Sequence, residues 1–517
     1  MLVVRNAFTC TALSVSEPVP MRKESKSMKK PWIRCVSLAA AVLLMVPFTA
    51  CNNGGDEQSD AAGSRDTGLV SKYYPEIPEE ARDLNGYTFT VRDYYTTRWA
   101  PEAGEQPNDT ILAIVDEVER VFNCHIEFEE LDVNNAFQSV QTEVLAGGKY
   151  ADLVITTMWN YGRLLGAGLM GDLKEVEGMD LSHPWWNQNL QDTLTINNRV
   201  LGSAAPFCSH LYMTWSCYFN KTLWSELSLP DPYELVRNGE WTYDKFLKYA
   251  KSAMLDRDNS GKVDSEEDRW GLVAPDGDYC RAAFLAMGGH FYQNDENGVM
   301  RVACNNSQTY DIVEFMHKMI KEDGIHGLSS GKDFADIIGA FVDGKSLFIC
   351  CSPGEGALRE MEDDYGFLPQ PKWNTAQEDY IGMVDHNAPI FGITNTNGDL
   401  DKIGYVLEAL ARRFLEVEEL TMKSWEDTIW RSPEDAEMVR KYIYNKGGYD
   451  LGPIAQNAVS ELGAPNTMVF NSVFGNNTDY ASTIQAAEPA VVQYLDEFLG
   501  DTQKPAQTDD TPSDTAE

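Results

Sequence analysis

The feature that most constrains the fold of this chain is a regular alternation of strand-like and helix-like segments after Gly86. The segment "YTFTVRDYY" predicts a strand, and a helical pattern over "DTILAIVDEVERVFN" follows it. A second strand, "HIEFEEL", a second helix, "NAFQSVQTEVLAGG", and a third strand, "ADLVITT", continue the run. This alternation predicts an α/β domain with a parallel sheet, whose ligands gather at the carboxyl ends of the strands.

The stretch "GAFVDGKS", Gly339 to Ser346, matches the pattern of a phosphate-binding P-loop. Such a loop needs a strand before it and a helix after it, because the helix N-terminus supplies the amides that hold phosphate. Here "FADIIGAFV" has helical spacing and comes first, whereas "SLFICC" has the composition of a buried strand and follows. We therefore predict a helix, a glycine turn at Gly344 and a strand, with no nucleotide site.

Residues 1–50 are predicted to be a leader with a lipoprotein signal peptide that starts at Met28. Basic residues precede an apolar run from Val36 to Ala50, which is shorter than the roughly 20 residues that span a bilayer. The residues "FTAC" resemble a bacterial lipobox, although Phe48 stands where leucine is usual. This resemblance makes Cys51 the lipidated residue. An ordinary secretory signal, with an incidental Cys51, is the alternative.

Two polar segments flank the folded part of the chain. Residues 51–68 are polar and glycine-rich and predict a disordered tether, and residues 501–517 predict a disordered acidic tail. The roughly 400 residues between them suffice for two packed domains. The formal net charge of -38 argues against nucleic acid or an anionic lipid surface as a partner, because both require a basic patch.

The sequence holds ten cysteines, of which Cys10 and Cys35 lie in the leader and Cys51 is the predicted anchor. The other seven show no CxxC spacing and are odd in number, which favours buried small apolar side chains over a disulfide framework or a zinc site. A structural disulfide is the alternative, because exported chains meet oxidising conditions. These seven are Cys124, Cys208, Cys217, Cys280, Cys304, Cys350 and Cys351.

The segment "DRDNSGKVDSEE" has the spacing of a twelve-residue calcium loop. It has Gly261 at the tight turn and an apolar Val263 two residues later. A hard divalent cation needs six or more oxygen ligands, and this loop offers them. An acidic, solvated turn is the alternative. The predicted calcium ligands are Asp256, Asp258, Ser260, the carbonyl of Lys262, Asp264 and Glu267.

A set of segments in a fixed order resembles the solute-binding lipoproteins of carbohydrate-type ABC transporters. They are "GGKYADLVITTMWNYGRLLGAGLMGDL", "PWWNQNL", "CYFNKTLW", "NGEWTYDKF", "AFVDGKSLF" and "YGFLPQPKWNTAQEDY". The resemblance implies a type II periplasmic-binding-protein fold: two lobes, each a mainly parallel sheet flanked by helices, plus C-terminal helices. Lobe 1 is expected at 69–205 with 386–430, and lobe 2 at 206–385 with 431–500.

Aromatic faces that cover the apolar side of a sugar, and carboxylates and amides that bind its hydroxyls, are the groups such a site needs. Trp159, Asn160 and Tyr161 follow the strand "ADLVITT" and are expected at its carboxyl end. Arg98 and Trp99 lie in the loop after the first strand and are candidates to pair or stack with a ligand. The alternative for each tryptophan is a packing role.

The resemblance adds four ligand-binding candidates. Trp215 lies in the expected crossing region between the lobes. Asp278 and Tyr279 begin a helix that faces the cleft in the family pattern. Glu355 follows the strand after the false P-loop.

Catalytic motifs are absent from the sequence: there is no H-E-x-x-H, no G-x-S-x-G and no dinucleotide fingerprint. We therefore predict a monomeric, non-catalytic receptor, lipid-anchored on the outer face of the cell membrane. It would deliver a carbohydrate, expected to be an oligosaccharide, to the permease subunits of an ABC transporter. A surface glycoside hydrolase or lyase stays open, because 80 acidic residues can supply a carboxylate pair. An adhesive lipoprotein without a transport role is the third alternative.

Overall fold

The computed structural model describes residues 72–74, 76–104, 106–327, 332–352, 356–444, 446–475 and 479–501. The predicted leader, the tether, Cys51 and Glu355 lie outside the described residues, as does the predicted tail after Asp501. The predictions made for them therefore rest on the sequence alone.

The strands are short, and most of them are buried. In chain order they are β1 (Tyr87–Asp93), β2 (Cys124–Glu130), β3 (Leu153–Thr157), β4 (Thr195–Ile196), β5 (Arg199–Val200), β6 (Ser216–Asn220), β7 (Trp270–Val273), β8 (Tyr292–Asn294), β9 (Met300–Val302), β10 (His326–Gly327), β11 (Ser346–Cys351), β12 (Tyr365–Leu368), β13 (Gly382–Met383), β14 (Pro389–Gly392) and β15 (Gly447–Gly448).

The α-helices are α1 (Asn108–Phe122), α2 (Ala136–Leu145), α3 (Met158–Gly166), α4 (Gln188–Leu194), α5 (Lys221–Glu226), α6 (Pro232–Arg237), α7 (Tyr243–Ala253), α8 (Asp276–Ala286), α9 (Ser307–His317), α10 (Phe334–Val342), α11 (Leu400–Thr428), α12 (Pro433–Met438), α13 (Leu451–Ala455), α14 (Ala464–Phe474) and α15 (Tyr480–Asp501). Helices α9 and α12 continue as π-turns over Lys318–Glu322 and Val439–Ile443. Short 3-10 turns lie at Glu79–Arg82, Thr96–Arg98, Leu173–Glu175, Pro206–Cys208, His210–Met213, Gly356–Glu360 and Ser460–Gly463.

The first sheet has the strand order β14-β3-β1-β2. Strands β1, β2 and β3 run parallel, as the strand and helix alternation predicts, and β14 pairs antiparallel with β3. The long helix α11 packs against α1, where the Arg413 guanidinium contacts the carboxylate of Glu117 with Nε at 3.1 Å from Oε1. The hydroxyl of Tyr74 donates to the same carboxylate at 2.8 Å. A buried, hydrogen-bonded ion pair therefore ties the two helices together.

The second sheet has the order β10-β7-β11-β6-β12. Strands β10, β7 and β11 are parallel, but β6 is antiparallel to both of its neighbours, β11 and β12. Because β12 is antiparallel to β6, it runs in the same direction as β11. Four of the five strands therefore share one direction, and the prediction of a mainly parallel sheet is confirmed with β6 as the reversed strand.

Two chain segments cross between the sheets and pair with each other. The Trp215 N–H donates to the Met383 carbonyl at 2.8 Å, and the Asp385 N–H donates to the Met213 carbonyl at 2.9 Å. A third segment joins them through the parallel pairing of β13 with β15. The predicted two-lobed α/β architecture with C-terminal helices is thus confirmed, whereas the exact lobe boundaries stay a prediction.

The P-loop-like stretch has the predicted order. Helix α10 ends at Val342, Gly344 adopts a φ of +67°, and β11 begins at Ser346 with all of its residues buried. No helix N-terminus follows the glycine. The stretch therefore lacks the geometry of a phosphate-binding loop.

The seven cysteines of the folded part are all free thiols, and six of them are buried, with Cys124 half-buried. The predicted role as small buried side chains is confirmed for those six. Within the described residues, no helix combines the length and the apolar run required to cross a membrane.

The hydrogen bonds of Asp93, the last residue of β1, are expected to stabilise the fold. Its buried carboxylate accepts hydrogen bonds from Arg98 Nε at 2.9 Å, Trp99 Nε1 at 2.8 Å and the Tyr95 N–H at 2.9 Å. We expect Asp93→Ala to lower the free energy of unfolding by about 3–5 kcal/mol, because it leaves the buried Arg98 charge without its partner. Urea denaturation measures this loss.

The matched control is Asp116→Ala, which removes an exposed ion pair with Arg120 one helical turn away. It should cost at most about 0.5 kcal/mol. Equal small losses in the two variants would contradict the role of Asp93.

Candidate functional site

A cavity of about 620 Å³ lies beside the crossing segments, at the carboxyl ends of the parallel strands of the second sheet. Helix α8, which follows β7, contributes Asp276 and Asp278, and the end of β11 contributes Cys351 and Ser352. Helix α10 adds Phe334, whose side chain is 40% exposed. The crossing segments supply Tyr212, Met213, Trp215, Asp385 and Asn387, and the lining also includes Pro275, Ile337 and Lys332, whose ammonium group is paired with Glu266 at 2.6 Å.

The pairing of the two crossing segments places Trp215 next to Asp385. The indole Nε1 of Trp215 donates to Asp385 Oδ2 at 3.3 Å. The other carboxylate oxygen, Oδ1, accepts the backbone and side-chain N–H groups of Asn387 at 2.8 and 2.9 Å. Asp385 is therefore held in one orientation at the cavity wall.

Asp278, Asp385 and His386 form a polar cluster, in which one potential ligand atom of each lies within 4.8 Å of the others. Asp278 also forms an ion pair with Arg281, one turn further along α8. In contrast, Asp385 has no lysine or arginine within ion-pair distance among the described residues. The cluster therefore offers hydrogen-bond acceptors and a net negative charge.

Trp159, from the first lobe, lies beside this cluster. It is in the first turn of α3, directly after β3, and is 36% exposed. Its indole meets the His386 ring edge-on, with a centroid distance of 5.9 Å, and its backbone N–H donates to the His386 carbonyl at 3.0 Å. The structure thus places Trp159 against His386, next to the cavity that Trp215 and Asp278 line.

Asn160 is half-buried, and its amide nitrogen donates to the Val133 carbonyl at 3.1 Å. The main contact of Asn160 is therefore with the loop before α2, not with the cavity. Contact between Asn160 and a ligand stays a prediction.

Four of the predicted ligand-binding side chains are buried in ways that contradict a direct ligand contact. Trp99 is fully buried and stacks on Phe128 with ring centroids 5.4 Å apart. Arg98 is held by Asp93 and by the carbonyls of Phe207 and Cys208.

The other two are tyrosines. Tyr161 is buried and donates its hydroxyl to the Leu201 carbonyl at 2.6 Å. Tyr279 is 1% exposed and stacks on His326. Burial of these rings and of the Arg98 guanidinium in the protein withdraws them from the cleft.

Neighbouring residues that the sequence analysis missed occupy the exposed positions instead. Tyr95, after β1, is 59% exposed, and Tyr94 donates its hydroxyl to the Asn387 carbonyl at 3.2 Å. Asp385 and His386 were also missed. An exposed aromatic pair directly after a strand is a signal that could have indicated Tyr94 and Tyr95, whereas nothing in the local sequence distinguishes Asp385.

The predicted calcium loop places Asp256 and Asp258 side by side, but the third converging carboxylate is Asp268, not Glu267. The Ser260 N–H donates to both Asp256 and Asp258, and Gly261, with a φ of +92°, donates to Asp256 at 2.7 Å. Glu267 lies outside this group of carboxylates, and its role as a calcium ligand stays a prediction.

Asp268 is fully buried and accepts the N–H groups of Arg257, Asp264 and Ser265 at 2.8 to 3.0 Å. Burial raises the pKa of its carboxyl, but these donors outweigh that effect and hold the pKa well below its usual range. Asp268 thus stays ionised. Its position is set by β7, which begins two residues later, and that distance is the signal that could have identified it.

Comparisons with known proteins agree on the fold. No family model and no curated protein sequence matches the chain. Among solved structures, a cyclic α-maltosyl-1,6-maltose binding protein from Arthrobacter globiformis has a TM-score of 0.55 and 14% identity, covering 80% of this chain and 99% of that one.

UspC of M. tuberculosis has a TM-score of 0.52 and 13% identity, covering 78% of this chain and 99% of its own. An ABC substrate-binding protein from Listeria monocytogenes, in complex with cycloalternan, has a TM-score of 0.50 and 12% identity, covering 80% and 100%. The chain therefore has the two-lobed fold of solute-binding proteins.

Proposed function

We propose that this protein is a non-catalytic receptor. It binds a carbohydrate, expected to be an oligosaccharide, and delivers it to the permease of an ABC transporter. The observation that carries the proposal is the cavity at which Trp215 and Asp385 meet Asp278, with Trp159, from the first lobe, packed against His386 beside it. A clamp that closes on its ligand needs such groups on both lobes.

The chemistry of the cavity suits a sugar. Its volume of about 620 Å³ lies within the roughly 300–1,000 Å³ usual for ligand pockets. The exposed rings of Tyr212 and Phe334 in the lining, with Trp159 beside it, can cover the apolar face of a pyranose, and the Asp278 and Asp385 carboxylates can accept its hydroxyls. Because the polar cluster is acidic, neutral sugars should bind better than uronic acids.

The contacts of the two carboxylates support binding rather than hydrolysis. Asp278 is held in an ion pair with Arg281, and Asp385 is held by Trp215 and Asn387, so each is fixed as an acceptor at the cavity. The names of two structures with the same fold, which mention cyclic α-maltosyl-1,6-maltose and cycloalternan, support an oligosaccharide ligand.

The binding prediction concerns Trp159. In calorimetric titrations with neutral mono- and oligosaccharides, we expect saturable binding of at least one sugar to the wild type. Trp159→Ala should weaken that binding about tenfold or more, because an aromatic stacking contact and its buried area are lost. A uronic acid of matched length should bind more weakly than the neutral sugar.

The matched control is Trp373→Ala, which removes a half-buried tryptophan that packs against Phe315 and does not line the cavity. It should leave the dissociation constant unchanged. Equal losses in both variants, or no sugar binding at all, would contradict the proposed site.

We also propose a structural calcium ion in the loop from Asp256 to Asp268. The carboxylates of Asp256, Asp258 and Asp268 suit a hard cation, and Ser260, Asp264 and the Lys262 carbonyl are the further predicted ligands. The Lys262 carbonyl accepts the Ser260 hydroxyl at 3.1 Å, so these two oxygens lie next to each other in the loop. Calcium at this site would supply charge neutralisation and no chemistry.

Substitutions at Asp268 and Glu267 test which of the two carboxylates binds calcium. Calcium should raise the melting temperature of the wild type, because an ion that binds only the folded state stabilises it by about 2.7 kcal/mol at 100 times its Kd. Asp268→Asn and Asp256→Ala should lose the calcium-dependent rise, and Glu267→Gln should keep it. A rise that survives in Asp268→Asn but disappears in Glu267→Gln would restore the ligand set predicted from sequence.

The lipid anchor at Cys51 is a further part of the proposal, supported by the signal peptide, the lipobox-like "FTAC" and the polar tether. It would hold the receptor on the outer face of the membrane, next to its permease. We expect Cys51→Ala to move the protein from the membrane fraction to the medium. A wild-type protein without a lipid on Cys51, judged by mass spectrometry, would contradict the anchor.

A further inference from the structure

A second cavity, of about 290 Å³, lies on the other side of the first crossing segment. Along this segment Tyr212, Met213 and Trp215 line the sugar site, whereas His210, Leu211 and Thr214 line the second cavity. The two cavities share no lining residue. We call the second one the rear cavity; its other walls come from residues 184–189 and 204–206, from α11, and from Tyr444, Gly447 and Tyr449.

The rear cavity contains one carboxylate and no basic side chain in its lining. Glu418, on α11, accepts a hydrogen bond from the Tyr444 hydroxyl at 2.6 Å and has no lysine or arginine within ion-pair distance among the described residues. Burial raises the pKa of the Glu418 carboxyl to about 7, and the Tyr444 hydroxyl only partly opposes this. A charge in such a place is costly unless something compensates it.

The one other titratable group that can carry a positive charge at the rear cavity is His210, and the structure keeps it neutral. Its Nδ1 meets the Tyr449 hydroxyl at 2.6 Å and its Nε2 meets the Pro389 carbonyl at 2.5 Å. Burial lowers the pKa of His210 to about 4. His210 therefore provides no counter-charge for Glu418 near neutral pH.

The polar side chains around Glu418 have their donors engaged within the protein. The Gln188 amide nitrogen donates to the carbonyls of Leu181 and Trp186 at 3.0 Å, and that of Asn189 donates to the Gly447 carbonyl at 2.9 Å. The oxygen atoms of these side chains remain available as hydrogen-bond acceptors for a ligand. A ligand rich in donors is favoured for that reason.

Aromatic rings also line the rear cavity, at Tyr444 and Tyr449, and at Trp185, whose ring already contacts Arg412 and His183. Faces of such rings attract cations, and the attraction grows when the cation is withdrawn from water. A negative charge, acceptor oxygens and aromatic walls all favour a positively charged guest and disfavour an anion.

We propose that the rear cavity binds a small organic cation, an amine or a quaternary ammonium group, with Glu418 as its counter-charge. The site is distinct from the sugar site and does not depend on it. Its walls come from the first lobe, a crossing segment and the segment that contains β15, so the occupant would contact parts of the chain that meet where the two lobes join.

Calorimetry at pH 8, where the Glu418 carboxyl is mostly ionised, tests the proposal. The probes are choline, putrescine and 3,3-dimethyl-1-butanol, the neutral carbon isostere of choline. We expect one site per chain for choline or putrescine, and binding of the neutral isostere at least tenfold weaker than that of choline if choline binds. Failure of both cations to bind at 20 mM would overturn the proposal, as would equal binding of choline and its isostere.

Two variants locate the bound cation. Glu418→Gln should weaken it at least tenfold, whereas Glu419→Gln, which changes an exposed neighbour on the same helix, should not. Leu415→Lys, at the cavity wall, should also block the cation by supplying a tethered ammonium group. Cation binding that survives Glu418→Gln but is lost in Trp159→Ala would place the cation in the sugar site and refute the rear-cavity assignment, independently of whether any sugar binds.

Discussion

The pairing of the two crossing segments is the constraint on which the rest of this structure depends. Hydrogen bonds between Trp215 and Met383 and between Asp385 and Met213 fix both segments in one register. A slip by one residue would turn Trp215 and Asp385 away from the sugar site. The same register turns His210 and Thr214 towards the rear cavity, so one short ladder defines both candidate sites.

Aromatic residues near the cleft are available to a ligand only where they do not pack in the core. After β1, Trp99 satisfies its indole N–H on Asp93 and packs in the core, which leaves Tyr95 exposed. After β3, Tyr161 is buried and Trp159 is exposed. In both loops the ring that finds a buried hydrogen-bond partner is withdrawn from the site, because an unsatisfied buried polar group costs free energy.

Local patterns were sufficient to predict the elements after Gly86 and the helix, turn and strand around Gly344, because hydrophobic period and glycine placement act over a few residues. They were insufficient for the reversed direction of β6, which is a matter of its pairing with the distant strands β11 and β12. The same limit applies to the site. Asp385 and Trp215 meet across 170 residues, and Asp268, just before β7, converges with Asp256 and Asp258. Contacts of this kind depend on tertiary packing, which a short stretch of sequence does not reveal.

The account's central claim is that the cavity beside the crossing segments holds a sugar without transforming it. The most direct measurement is mass spectrometry of an oligosaccharide recovered after prolonged incubation with an equimolar amount of the protein. We expect the protein to retain about one intact ligand per chain and to release it unchanged on denaturation. Products that accumulate in proportion to the protein, and that disappear in Asp385→Asn or Asp278→Asn, would contradict it.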